Sequence, residues 1–139
     1  MKIAICGSMT ACKKMIQMEE KLIKMGHKVV LPRHTREYAK LNTSDHVHNE
    51  SYKNKINHDL IRVYYDEIKN CDAVLVINET RHGIKNYIGG NSFLEMAFAH
   101  ILHKKIFLLN PIPKMLYTDE LIAMQPVVLN GDLGKLSID

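Results

Sequence analysis

Residues 71–78 read CDAVLVIN, and within them Ala73 to Ile77 form five consecutive apolar positions, most of them β-branched. A strand with one solvated face alternates apolar and polar side chains, so an unbroken apolar run means burial on both faces. That is the environment of a central strand in a parallel sheet covered by helices on either side. Parallel neighbours cannot be joined by tight hairpins, so the rest of the chain must supply further strands separated by crossover helices.

It does so in order. Ile3 to Cys6 is a second short apolar run, closed by the turn-forming pair Gly7-Ser8. Met15, Met18, Leu22 and Met25 recur at spacings of three and four, which predicts a helix over 10–25 that stops at Gly26. Val29 to Leu31 reads as the next strand, halted by Pro32, whereas 33–49 turns polar and aperiodic and reads as an excursion or loop. Ile56, Leu60, Val63, Tyr64 and Ile68 lie near one stripe of a helix over 52–70. Beyond the central strand come a helix over 91–102, a strand over 106–109, a short helix around 119–124 and a last strand over 127–129. This alternation predicts an α/β chain: a three-layer α/β/α, Rossmann-like (flavodoxin-like) fold with a five-stranded parallel sheet. At 139 residues, the chain suits one domain over 1–139.

Composition removes several function classes. Hydrophobic residues make up 46% and charged residues 24%, which suits a folded soluble chain rather than a disordered one. The net charge of +4 comes from lysines and arginines that are scattered, so a nucleic-acid interface, which needs a clustered patch, is not expected. Cys6, Cys12 and Cys71 are odd in number and match no CxxC spacing; this argues against a disulfide framework and for a cytoplasmic protein. No run approaches the roughly 18 apolar residues of a membrane span. The opening KIAIC is too short for the apolar core of a signal peptide. His46-Val47-His48 has the look of a metal pair, but no third ligand of suitable spacing accompanies it. No metal and no cofactor are expected.

In open parallel sheets, ligands bind beyond the carboxyl ends of the strands, near the point where strand order reverses. That rule selects Gly7, Ser8, Met9 and Thr10 after the first strand, Asn78 to Asn91 after the third, and Asn110-Pro111 after the fourth. Gly7-Ser8 can be a plain tight turn or can offer amides and a hydroxyl to a phosphate at the following helix. The middle segment runs into YIGGNSFLEMAFAH, residues 87–100, where a helix that is apolar nearly all round carries one carboxylate, Glu95. Two readings stand. Ser92 and Glu95 fit the S-x-x-E capping box, in which Glu95 bonds back to the Ser92 amide. Alternatively, a carboxylate in the first turn of a helix, facing a strand-end crevice, is what a nucleophile or general base requires. The same helix is too apolar for a lone monomer, which predicts a homodimer or larger assembly.

CGSM after the first strand, CDAVLVIN, and GGNSFLEMAFAHILHKKIFLLNP together resemble the nucleoside 2-deoxyribosyltransferase-like superfamily. Its members include base-exchanging deoxyribosyltransferases and deoxynucleoside 5'-monophosphate N-glycosidases. The likeness covers most of the chain in the same element order. It implies an N-glycosidic-bond enzyme, transferase or hydrolase, acting on a small-molecule nucleoside or nucleotide without a cofactor. Glu95 would match the nucleophile that attacks C1' of the sugar, and Ser8 would match a residue near the 5' end of a bound nucleotide. Gly7, Met9, Asn78, Gly89, Gly90, Asn91 and Asn110 would line the remainder of the site. Aligned without gaps, the family's helix-borne aspartate falls on Tyr64, a second aspartate on Gly89, and an asparagine lent by a neighbouring subunit near Asp119-Glu120. Asp66 or the Tyr87 hydroxyl would then be the group that protonates the leaving base. A non-catalytic nucleotide sensor using the same crevice is the alternative. A flavin-binding electron carrier is disfavoured, since the chain has no tryptophan for an aromatic sandwich.

Overall fold

The computed structural model describes residues 1–41, 56 and 59–138. Five strands pair in parallel in the order β2-β1-β3-β4-β5: β1 (Lys2–Gly7), β2 (Lys28–Val30), β3 (Ala73–Ile77), β4 (Lys105–Leu108) and β5 (Val127–Val128). All five residues of β3 are buried, and the strand lies at the centre of the sheet between β1 and β4, as its unbroken apolar run requires. In register, Ile3 to Gly7 of β1 face Ala73 to Ile77, and Ala73 to Val76 face Lys105 to Leu108.

The strand period sorts the core into two faces. Ile3, Ile5, Leu75, Ile77 and Phe107 point to one side, where they meet Met15, Met18 and Leu22 of α1 (Cys12–Lys24). Ala4, Cys6, Val74, Val76, Ile106 and Leu108 point to the other. There they meet Tyr64 and Ile68 of α3 (Leu60–Lys69), Met96 and Ala99 of α4 (Gly90–Ile101), and Leu121 of α5 (Thr118–Ala123). Right-handed crossovers account for this distribution. The step from β1 to β2 runs one way along the sheet and puts α1 on the first face. Every later step runs the other way and puts its helix on the second face. With one crossover helix, the first face is completed by Leu129, and by Leu133 from a 3₁₀ turn over Leu133–Lys135.

Helix α1 stops where the sequence places Gly26. Gly26 takes φ 89°, its amide bonds the Ile23 carbonyl at 2.9 Å, and the His27 amide bonds the Leu22 carbonyl at 3.0 Å. These two bonds form a Schellman motif, which the glycine permits without a Cβ clash. Within the polar excursion after β2 the structure places a short helix, α2 (Thr35–Lys40), where a loop is expected. Arg36 of α2 ties it to α1 by donating to both carboxylate oxygens of the buried Glu19 at 2.8 Å. The helix expected over 52–70 is interrupted at Asp59, which adopts a left-handed backbone (φ 47°) before α3 begins. Most of its expected first part, and the pair His46 and His48, lie outside the described residues. No helix among the described residues is long and apolar enough to cross a membrane.

Candidate active site

Strand order reverses at β1: its first crossover leads to β2 on one side, and the chain then returns to β3 on the other. The crevice that this reversal opens lies beyond Gly7 and Ile77. The two strand ends approach closely there, since a Cβ on Gly7 would stand 2.7 Å from the Met15 methyl and 3.2 Å from the Ile77 carbonyl oxygen. Next to it is a cavity of about 130 Å³ between α3 and α4. One stripe of α4 lines it (Asn91, Leu94, Glu95, Phe98), facing a stripe of α3 that includes Val63, Tyr64 and Glu67. Met9 from the turn after β1 lines it too, as do Arg33, His34 and Tyr38 from the segment that follows β2.

Glu95 is 5% exposed and belongs to this lining. Its helix begins at Gly90 with Gly89 as the cap, and no side chain bonds the cap position. The capping box is therefore corrected. Ser92 is already the third residue inside the helix, and Glu95 lies in the second turn, beyond the reach of the terminal amides. The attraction of the helix N-terminus, which fades after the first turn, is correspondingly weak there. What holds Glu95 is side-chain contact. Asn91, one turn earlier, donates its amide to Glu95 Oε1 at 3.1 Å. From the sheet side, Cys6 is fully buried close to the same carboxylate. Burial first, then the Glu95 charge, push the Cys6 thiol well above its ordinary range, so it stays protonated. Tyr64 closes the cluster from α3. Its hydroxyl donates to the Ile5 carbonyl, and burial, followed by the charges of Cys6 and Glu95, raises its pKa as well.

The other sequence-expected residues divide between this cavity and its rim. Asp66 is exposed on α3 and does not line the cavity, whereas its neighbour Glu67 does. Tyr87 stands outside the lining. Its ring packs edge-on against His82 at 5.3 Å and lies over Gly89, whose added Cβ would meet it at 3.3 Å. Near it, Tyr117 stacks on Phe93 with centroids 4.5 Å apart and donates its hydroxyl to the Ile88 carbonyl. Gly90, at the mouth of α4, has no atom within 4 Å of where a Cβ would sit. Ser8 accepts from the Thr10 amide at 3.3 Å and contacts the Thr10 hydroxyl at 2.9 Å. Arg81, from the loop after β3, donates to the Ser8 hydroxyl at 2.5 Å.

Asn78 and Asn110 are committed to each other. The Asn78 amide nitrogen donates to the carbonyls of Asn110 (2.9 Å) and Pro111 (3.1 Å), and its oxygen accepts from the Asn110 amide at 2.9 Å. Asn110 returns a bond to the Asn78 carbonyl at 3.0 Å. The pair locks the ends of β3 and β4 together at the back of the crevice. Among the described residues, no group of three His, Cys, Asp or Glu side chains is placed to hold a metal. Sequence reasoning did not single out Cys6, Glu67, Arg33, His34 or Arg81 for this region. Arg81 falls inside the segment selected by the strand-end rule, so its position was within reach of that rule even though its role was not.

No protein-family model matches the sequence, and no curated protein matches it. Solved structures do. The 2-deoxyribosyltransferase of Bacillus psychrosaccharolyticus superposes with a TM-score of 0.56 at 20% identity, over 80% of this chain and 73% of that one. The CMP N-glycosidase of Clostridium botulinum superposes with a TM-score of 0.50 at 15% identity, over 94% of this chain and 90% of that one. The chain thus shares the α/β fold of these two enzymes.

Proposed function

We propose that the protein is an N-glycosidic-bond enzyme acting on a nucleoside or nucleotide, with Glu95 as nucleophile. The observation that carries this reading is a buried carboxylate, held by the Asn91 amide, that lines a cavity at the switch point of a parallel sheet. A charge in such a place costs free energy that a purely structural residue would not need to spend, and functional sites are where proteins tolerate it. The fold shared with a deoxyribosyltransferase and a CMP N-glycosidase supports the same class of reaction.

In this scheme, a Glu95 oxygen forms a bond to C1' as the C1'–N bond breaks and its electron pair leaves with the base. Glu67 is the acid we assign to protonate that base, because it is the α3 carboxyl that reaches the cavity while Asp66 and Tyr87 do not line it. The glycosyl ester on Glu95 is then attacked at C1' by water or by the nitrogen of a second base, and in either case the proton lost by the attacking group passes to Glu67 as the C1'–O bond to Glu95 breaks. Either route returns Glu95 as a carboxylate, in the two-step manner of retaining glycoside chemistry. Gly89, Gly90 and Asn91 would border the sugar, with Ser8 and Gly7 toward its 5' side.

Incubation with deoxynucleosides and their 5'-monophosphates, followed by chromatography for free base, tests the reading. Release that disappears in Glu95→Gln is the expected result, and no release from any substrate at high enzyme concentration would sink it. One observation favours a binding-only protein instead: Tyr64, at the position where the resemblance places an aspartate, spends its hydroxyl on the Ile5 carbonyl. Saturable nucleotide binding without turnover would establish that alternative. A homodimer also belongs to the proposal, since Leu94 and Ile101 of α4 are 43% and 71% exposed. Light scattering at micromolar concentration should give twice the chain mass.

A further inference from the structure

We infer that Glu19 and Arg36 are positioning residues for the cavity: their ion pair pins the short helix α2 so that His34 and Tyr38 stand as a fixed wall beside Glu95. That this wall receives the base of a substrate rests on the proposed reaction; the pinning itself does not. The segment from Leu31 to Tyr38 follows β2 at the edge of the sheet, beside β1. Leu31, Arg33, His34 and Tyr38 line the cavity between α3 and α4. Arg36 reaches the other way, to α1 on the first face of the sheet, where its Nη2 donates to both oxygens of Glu19 at 2.8 Å. Helical geometry accounts for the split. Arg36 and Tyr38 stand two residues, about 200°, apart around α2, whereas His34 and Tyr38 are one turn apart.

The rest of α2 offers it modest anchorage. Thr35 is its buried side chain, and the Thr35 hydroxyl donates to the Pro32 carbonyl at 2.6 Å, within the same segment. A helix of six residues is far too short to hold itself in water. His34, at the entry to α2, takes φ 66°, a left-handed backbone that costs free energy and persists where surrounding contacts impose it. The ion pair is such a contact, and it is asymmetric: Glu19 is 8% exposed, whereas the Arg36 side chain is 62% exposed. A pair between two exposed chains contributes little. Here one member is a carboxylate held out of water, and withdrawing the guanidinium strips it of that counter-charge. Undocking of α2 is disfavoured accordingly. The pair thus acts on the cavity through His34 and Tyr38, although neither Glu19 nor Arg36 belongs to the lining.

Tyr38 reports on this wall without any substrate. In protein carrying 3-fluorotyrosine, its ¹⁹F resonance is the one missing from Tyr38→Phe. Arg36→Met and Glu19→Gln should each move that resonance toward the position of free fluorotyrosine. The amides of Tyr38 and Leu41, bonded to the His34 and Tyr38 carbonyls, should exchange about fivefold to tenfold faster, with those of β3 unchanged. Arg36→Met should have the larger effect, since it strands the carboxylate, and the double variant should fall back to the Glu19→Gln level. Arg36→Lys, which keeps the charge, should recover part of the parent behaviour. In turnover, Arg36→Met should raise KM about fivefold with little change in kcat, because fewer molecules hold the wall in place while Glu95 is untouched. An unmoved Tyr38 resonance in both single variants overturns the inference, as does a double variant in which the two effects simply add. A moved resonance with unchanged KM overturns the role at the cavity. A moved resonance with no base released by any protein, the parent included, would uphold the pinning and reject the reaction.

Discussion

Replacing Glu95 by methionine separates a functional carboxylate from a structural one. The side chain is 5% exposed, and its immediate chain neighbour Met96 is fully buried. Methionine is nearly the same length, has a similar helix propensity and makes no polar demand on the cavity. What the substitution removes is a buried charge together with its bond from the Asn91 amide. Replacing a buried ion by an apolar group of similar volume commonly stabilises a fold, here by about 1–2 kcal/mol. For a domain of this size that corresponds to a rise in Tm of roughly 3–6 °C. The assay is paired: calorimetry or urea melts for stability, and base release for activity. Glu95→Met should melt higher with an unchanged m-value and release no base, the opposed response expected of an active-site residue. Had Glu95 been the far end of a capping box, the same change would cost about 1 kcal/mol. A loss of that size with unchanged m would refute the reasoning.

Three further substitutions probe the surroundings. Tyr64→Phe removes the buried hydroxyl that donates to the Ile5 carbonyl and should lower the urea midpoint by an amount equivalent to about 1–2 kcal/mol; an unchanged midpoint would mean that the bond carries no net stability. Asn78→Ala deletes three side-chain bonds to residues 110 and 111 and should cost about 2–4 kcal/mol, with faster hydrogen exchange at the Asn110 amide. Asn78→Asp should not rescue it, because a carboxylate cannot donate to the two carbonyls. Glu67→Gln should slow release of poorly leaving bases by about a hundredfold and affect activated leaving groups far less; equal slowing of both would remove Glu67 from the acid role.

Much of the fold was legible because its determinants are periodic and local. The run from Ala73 to Ile77 could be buried on both faces only at the centre of the sheet, and it lies there. Gly26 could end α1 by a Schellman motif because that motif needs only one residue tolerant of positive φ. The elements that escaped lack such signals. Helix α2 is six residues of mixed polarity, too short to display a stripe, and it is secured by the long-range Arg36–Glu19 pair. The break at Asp59 is similarly hidden, since the surrounding apolar spacing continues across it while one aspartate takes a left-handed backbone.

The site was legible only in part, for a geometric reason. The strand-end rule fixes which loops meet, and it selected Gly7, Ser8, Met9 and the approach to Glu95. It says nothing about helix rotation. Successive helical residues are about 100° apart, so a shift of one position decides whether a side chain enters a cavity or faces solvent. Asp66 and Glu67 are adjacent acids of α3, and only Glu67 falls on the stripe shared with Val63 and Tyr64 that lines the cavity. The apolar residues carried that information, because Tyr64 and Ile68 mark the buried face and Glu67 is one helical turn from Tyr64. Cys6 is a related case. Inside an apolar strand it reads as a small hydrophobe, and it comes close to Glu95 only because α4 packs on the face of β1 toward which residue 6 points. The surroundings of the Glu95 carboxylate are thus encoded in the packing of α3 and α4 on the sheet, which no single segment contains.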